Sequence, residues 1–200
     1  MKNLILSSLI VLISFVTNAQ NSYLFSVHSG LGNPLKTNLR VTENIPNNAT
    51  ASYKGLPTLG VMATTKINDK LSIGFDFMYG TATVDFNRVD TTFSNGQWNY
   101  VTNSYEITKR RLRTQFRFNR HFGSNANMDQ YVGFGIGGNK RWRKEYVNDT
   151  LTTSETTDSA IPFSMRLCYG FQYYPTYNLG IGGEIGLGGP LLQVAITYKL

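Results

Sequence analysis

The chain has 200 residues, 41% of them hydrophobic, with 19 lysines and arginines against 12 acids and a formal net charge of +7. A single cysteine, Cys168, excludes an internal disulfide and any CxxC-type metal or redox motif. Beyond the N-terminus no run of about 18 apolar residues occurs, which excludes a further helical membrane span.

The N-terminus reads Met1-Lys2-Asn3, then is almost wholly apolar from Leu4 to Val16, with Ala19 as a small residue just beyond. That is the layout of a secretory signal peptide, and the run is short for a membrane anchor. Residues 1–19 are therefore expected to be cleaved, leaving one domain over 20–200.

Eight alternating segments follow, each with successive side chains on opposite faces. The first, Tyr23 to Leu31, has Tyr23, Phe25, Val27 and Leu31 on one face and His28 on the other. The second runs from about Leu56 to Ile67, with Leu59, Val61, Ala63 and Ile67 together. In the third, Leu71, Ile73, Phe75, Phe77 and Tyr79 alternate with Ser72, Gly74, Asp76, Met78 and Gly80. The fourth, Ser104 to Phe122, carries Lys109, Arg111, Arg113, Gln115, Arg117 and Asn119 on one face and Leu112, Thr114, Phe116 and Phe118 on the other. The fifth, Tyr131 to about Arg143, sets Val132, Phe134, Ile136 and Trp142 against Tyr131, Gly133, Gly135, Gly137, Asn139, Arg141 and Arg143. In the sixth, Phe163 to Tyr173, Arg166 and Cys168 oppose Met165, Leu167 and Tyr169. In the seventh, Leu179 to Gly188, Glu184 opposes Ile181 and Ile185. The eighth, Leu192 to Leu200, alternates throughout.

The connections alternate in length. Long polar stretches fall near 32–55, 88–104 and 144–160; short ones fall at Asn68-Asp69-Lys70, around Gly123 to Asp129, and at Pro175-Thr176-Tyr177. Short turns at one end and longer loops at the other suit an outer-membrane barrel. Asn95-Gly96 is a two-residue hairpin signal. With that turn Phe75 faces Phe116, Ile73 faces Phe118, Tyr79 faces Leu112, Val84 faces Ile107, Phe86 faces Tyr105 and Asp76 faces Gln115. A one-residue slip would destroy the match by turning one strand over. With Gly189-Pro190 as a second turn, Leu187 would face Leu192 and Ile185 would face Val194.

These readings define an all-β chain, an eight-stranded antiparallel up-and-down transmembrane β-barrel. Its lumen is expected to hold a polar cluster of Asp76, Lys109, Arg111, Arg113, Gln115, Arg117, Arg141, Arg166 and Glu184, filling the interior rather than leaving a wide pore. Arg113 and Arg117 are the diagonal neighbours of Asp76 in the hairpin register, and the strand glycines make room for the arginines.

The chain resembles the small eight-stranded outer-membrane barrel family, which includes the transmembrane domain of outer-membrane protein A. The resemblance spans 20–200 and rests on the alternation, the signal peptide and the last strand, Leu191 to Leu200. It implies residence in the outer membrane of a Gram-negative-type bacterium, contact with membrane lipid and handling by the barrel-insertion machinery. It also implies a structural or surface-interaction role, with any surface ligand reaching the loops 32–55, 88–104 and 144–160. The family usually ends on an aromatic residue; here Leu200 is last and Tyr198 stands two before it.

Other chemistries fit the residues less well. Some barrels of this kind modify lipid A with a Ser/His/acid site, but only His28 and His121 are available, and neither shows such a pattern in sequence. Gly133 to Gly138 lie on a strand with no helix following, so no dinucleotide fingerprint exists and no cofactor is expected. A nucleic-acid face would place bases on aromatics beside the cations, yet Phe116 and Phe118 oppose the arginines. A soluble exported barrel with an apolar ligand is the remaining alternative.

Overall fold

A computed structural model describes residues 23–31, 35, 39, 45, 51–123, 127–157 and 163–200. The expected signal peptide, residues 1–19, lies outside the described residues, as does most of 32–50. Nine strands run in chain order: β1 (Tyr23–Leu31), β2 (Ser52–Asn68), β3 (Leu71–Ser94), β4 (Gln97–Phe122), β5 (Met128–Val147), β6 (Thr150–Thr157), β7 (Phe163–Tyr173), β8 (Leu179–Leu187) and β9 (Leu192–Lys199). Each of the eight other than β6 pairs antiparallel with two neighbours in the ring, β1 with β9 and β4 with β5 completing its closure, and β5 pairs with β6 as well. Closure leaves no open sheet edge inside a bilayer, where an unpaired backbone group has no water to bond.

The Asn95-Gly96 turn forms as read. Both residues have positive φ (53° and 77°), as a type I′ turn requires. Every pair along β3 and β4 follows the register read from it, from Ser94 opposite Gln97 down to Leu71 opposite Arg120. The second hairpin differs. Ile185 faces Leu192 and Gly183 faces Val194, two residues away from the register expected with Gly189-Pro190 as the turn. The loop spans four residues, 187–190. Gly188 takes a left-handed φ of 82°, and the Gly186 amide donates to the Leu191 carbonyl at 2.9 Å. A two-residue slip keeps each side chain on its face, so the apolar match could not detect it.

Two of the stretches read as long loops are largely strand. Residues 88–104 continue the β3–β4 hairpin to its tip. Within 144–160, β5 extends to Val147 and turns back as β6 through Asn148 and Asp149, both at positive φ (48° and 62°).

The exterior of the ring is apolar around its circumference. Phe25, Val61, Phe75, Phe77, Phe118, Phe134, Met165, Ile181 and Ile196 are all exposed. From Leu71 to Tyr79 the outward apolar row has the length a tilted strand needs to cross a bilayer, about 9–11 residues. Above this level the pattern turns over. Ala82, Val84 and Phe86 of β3 and Tyr105 and Ile107 of β4 point inward and are buried with Leu35 and Leu39, while Thr81, Thr83 and Asp85 face out. Val84–Ile107 and Phe86–Tyr105, which sequence grouped with Phe75–Phe116, thus belong to a separate core on the inner side. In β2 a bulge at Leu56/Leu59, where Pro57 has no amide to give, shifts the phase so that Tyr53 joins that core. Apolar outside, then apolar inside, marks the passage from hydrocarbon to water.

Phe116 stands on the outward row near mid-belt, and Gln115 beside it points into the ring and is buried. Phe116→Arg should cost about 2–4 kcal/mol of folding stability in lipid vesicles, the price of charge at the bilayer midplane. A spin label at position 116 should respond to lipid-soluble oxygen and one at 115 should not. Water accessibility at 116 would overturn the facing of this strand.

Candidate functional site

The ring interior is a stack of hydrogen-bonded polar layers. At its centre Arg117 is 0% exposed and reaches two acids: Nη1 lies 3.1 Å from Asp76 Oδ2 and Nη2 lies 2.7 Å from Glu184 Oε1. Arg166, also buried, donates through Nη2 to Glu184 Oε2 at 3.1 Å and to Gln193 Oε1 at 2.6 Å. Tyr131 donates to Glu184 Oε1 at 2.8 Å. Strand glycines make the space. A Cβ on Gly133 would stand 2.9 Å from Arg117 Nη2, and one on Gly170 would overlap the Tyr131 ring.

The network fixes a histidine tautomer. Arginine can only donate, so Arg166 must face the Gln193 oxygen, and Gln193 Nε2 is left to donate to His28 Nδ1 at 3.0 Å. The His28 proton is then on Nε2, which donates to Asp76 Oδ1 at 2.9 Å. Asp76 thereby serves both Arg117 and His28. Gln115, opposite Asp76 in register, turns instead to Ser164 Oγ at 2.7 Å.

Of the residues expected in the lumen, Asp76, Arg117, Arg166 and Glu184 form one bonded unit, with Gln115 and Arg113 buried beside it. Arg113 donates to the Gly188 carbonyl and Arg166 Nη1 to the Pro190 carbonyl at 3.1 Å, so the four-residue loop is held by lumen cations. Lys109 and Arg111 are half-buried at the rim, where Arg111 donates to Asn139 at 2.7 Å, and Arg141, across from Arg111, is exposed. Sequence reasoning missed Gln193 because of the slipped register: the observed pairing sets it directly opposite Glu184.

His121 also departs from expectation, since it has a serine and an acid as partners. Its Nδ1 lies 2.8 Å from Asp129 Oδ1 and its Nε2 lies 2.8 Å from Ser72 Oγ, near the short-turn end of the ring. Ser72 and Asp129 are its diagonal neighbours on β3 and β5. The order matches a nucleophilic triad, but Ser72 is 1% exposed and already accepts from Asn119 Nδ2 at 3.3 Å. A nucleophile needs an open approach for the reacting carbon; here the three residues tie adjacent strands together. Among the described residues no group of three or more His, Cys, Asp or Glu is placed to hold a metal ion.

A second polar unit stands on the outer hairpin. Asp90 accepts from Tyr105 Oη at 2.5 Å, from Asn103 Nδ2 at 2.6 Å and from Arg88 Nε at 2.7 Å. Arg88 also lies 4.3 Å from the Tyr105 ring centroid. Donation from Tyr105 and Asn103, with the Arg88 charge, holds the Asp90 carboxyl below its ordinary value of 3.8.

A closed antiparallel ring, apolar towards lipid and polar within, defines this chain as an outer-membrane β-barrel. No protein family and no curated protein matches the sequence. Among solved structures the chain is similar to Ail, the attachment invasion locus protein of Yersinia pestis. One structure, in complex with the heparin analogue sucrose octasulfate, shares 11% identity at a TM-score of 0.43, covering 91% of this chain and 100% of that one. A second structure of Ail shares 10% identity at a TM-score of 0.37, covering 90% and 93%. At so low an identity and superposition, the barrel rests on its own strand pairings.

Arg117→Met should leave Asp76 and Glu184 without their shared cation and cost about 3–5 kcal/mol, while Arg141→Met at the rim should cost at most about 1 kcal/mol. Urea unfolding in vesicles measures both. The Asp90 unit contributes stability above the ordinary carboxyl value of 3.8 and loses it as pH falls through the lower folded value. Amide protection in the outer hairpin, taken relative to the intrinsic exchange rate at each pH, should therefore fall in acid, and Asp90→Asn should remove that pH dependence.

Proposed function

We propose that this protein is a surface-interaction barrel of the outer membrane of a Gram-negative-type bacterium, delivered by a signal peptide over residues 1–19 and acting through its outer hairpins. The carrying observation is the β3–β4 hairpin. Its last ring pairings are Ser52 with Asp85 on one side and Tyr105 with Val147 on the other. Beyond these pairings it continues as a two-stranded ribbon, exposing Val89, Phe93, Trp98 and Tyr100 along one face. An exposed aromatic face on a rigid ribbon suits binding, since such rings supply contact area at low entropic cost. The β5–β6 hairpin rises beside it, and Ser104 is bonded to Asn148 in both directions.

The lumen serves stability rather than transport or catalysis. Two of its cavities have volumes of about 10 and 20 Å³, room for little more than a water molecule each. The sealed Ser72 hydroxyl supports a non-enzymatic role. The last strand, β9, supplies the alternating segment for the barrel-insertion machinery.

Replacing Asp90–Val101 by a two-residue Asn-Gly turn should leave a barrel that still changes gel mobility on boiling. Expressing cells should lose adhesion to immobilised protein, glycan or sister-cell surfaces, and Phe93→Ser with Trp98→Ser should reproduce the loss. Recovery of the wild-type protein in the soluble periplasmic fraction would overturn the membrane reading; undiminished adhesion would overturn the role of the hairpin.

A further inference from the structure

We infer that the outer surface of β4, β5 and β6 binds the anionic phosphate of a lipid headgroup in the outward leaflet. The inference rests on the membrane reading above and adds a site to it. A cleft of about 240 Å³ opens on the outside of the ring, lined by Tyr79, Thr108, Arg110, Trp142, Lys144 and Ser154. It is separate from the lumen, because these β4 and β5 side chains belong to the outward row.

Its level is set by the strand register. Phe116 opposite Ile136 lies within the apolar belt, and Leu112 opposite Lys140 ends it. Next come Arg110 opposite Trp142, then Thr108 opposite Lys144, which pairs onward with Ser154 of β6. The cleft therefore begins where hydrocarbon gives way to headgroups. Tyr79 and Trp142 are the aromatic types that sit at this boundary. Lys140 Nζ lies 5.4 Å from the Trp142 ring centroid and steadies it.

The charge is one-sided. Among the described residues no carboxylate lies within ion-pair distance of Arg110, Lys140 or Lys144. Of the nearby acids, Glu145 pairs with Arg143 at 3.1 Å and Asp85 with Lys54 at 2.8 Å, while Glu106, one row further out at the edge of the cleft, accepts from the lining Thr108 at 3.3 Å. The Arg110 guanidinium and the Lys144 ammonium, with the Ser154 hydroxyl opposite Lys144, form a donor set for phosphate oxygens. A lipid source follows from continuity: a phosphate held here leaves its acyl chains beside Leu112 and Ile136, on the belt itself.

The sequence holds two tryptophans, Trp98 and Trp142, so Trp98→Phe leaves Trp142 as the sole reporter inside the cleft. In an uncharged detergent, phosphatidylglycerol should shift Trp142 emission saturably, and phosphatidylcholine at the same mole fraction, whose phosphate carries its own choline counter-charge, should shift it less. Arg110→Gln with Lys144→Gln should weaken the response about tenfold or more, the equivalent of one charge-assisted hydrogen bond. An equal response to phosphatidylcholine, or unchanged affinity in the double variant, would overturn the site. Inorganic phosphate that reproduces the shift at the same concentration would overturn the lipid source. The comparison of lipids on the wild-type cleft holds even if the double variant fails to fold. Heat-dependent gel mobility reports membrane insertion separately, so failure of the site and failure of the membrane reading are distinguishable.

Discussion

Hydrocarbon offers no hydrogen-bond partner, and the whole architecture answers that constraint. Each backbone amide and carbonyl at membrane depth must be met by a neighbouring strand, so the sheet has to return upon itself. The pairing of β1 with β9 does this at the chain ends, and the Leu200 amide bonds to the Tyr23 carbonyl at 2.9 Å. Once the ring is closed at eight strands, its interior is too narrow for a water column and too enclosed for loose charges. Each arginine inside must then be met by a particular oxygen.

That requirement explains the division of labour along β4. Arg117 reaches both Asp76 and Glu184 and shares Glu184 with Arg166 of β7, while Arg113 makes do with a loop carbonyl. Glycines at 133, 135 and 170 are the counterpart of these long side chains, since a methyl group would collide with Asn119 and Arg117 at 133 and with Tyr131 at 170, and would press on Arg117 and Gln115 at 135. The interior is thus packed by matching large polar groups to missing ones, as a soluble core matches large and small apolar groups.

Alternation made most of this legible in advance. On β3 and β7 the two-residue period is unbroken, and Asn95-Gly96 admits one geometry, so the β3–β4 register could be read residue by residue. Legibility failed where a turn had no unique length. Gly188-Gly189-Pro190 suits both a two- and a four-residue connection, and the two-residue error hid Gln193 from Glu184. Asn148-Asp149 can adopt the same turn as Asn-Gly, but its flanks Tyr146 and Leu151 alternate too briefly to announce a strand. Ser72 and Asp129 reach His121 only through pairings on both sides of β4, and no turn signal sets the β4–β5 side.

The reversal of the apolar face above Tyr79 and Leu112 has a consequence for how the molecule stays where it is. The cluster around Val84, Phe86 and Ile107 can assemble only after its strands have passed through the bilayer, and it is crowned by Arg88 and Asp90. Withdrawal would require dismantling that cluster in water and dragging its charged crown back through hydrocarbon. The outer core therefore works as a rivet head, formed on the far side after the shank has gone through. It makes residence in the membrane a matter of rates as well as of equilibrium.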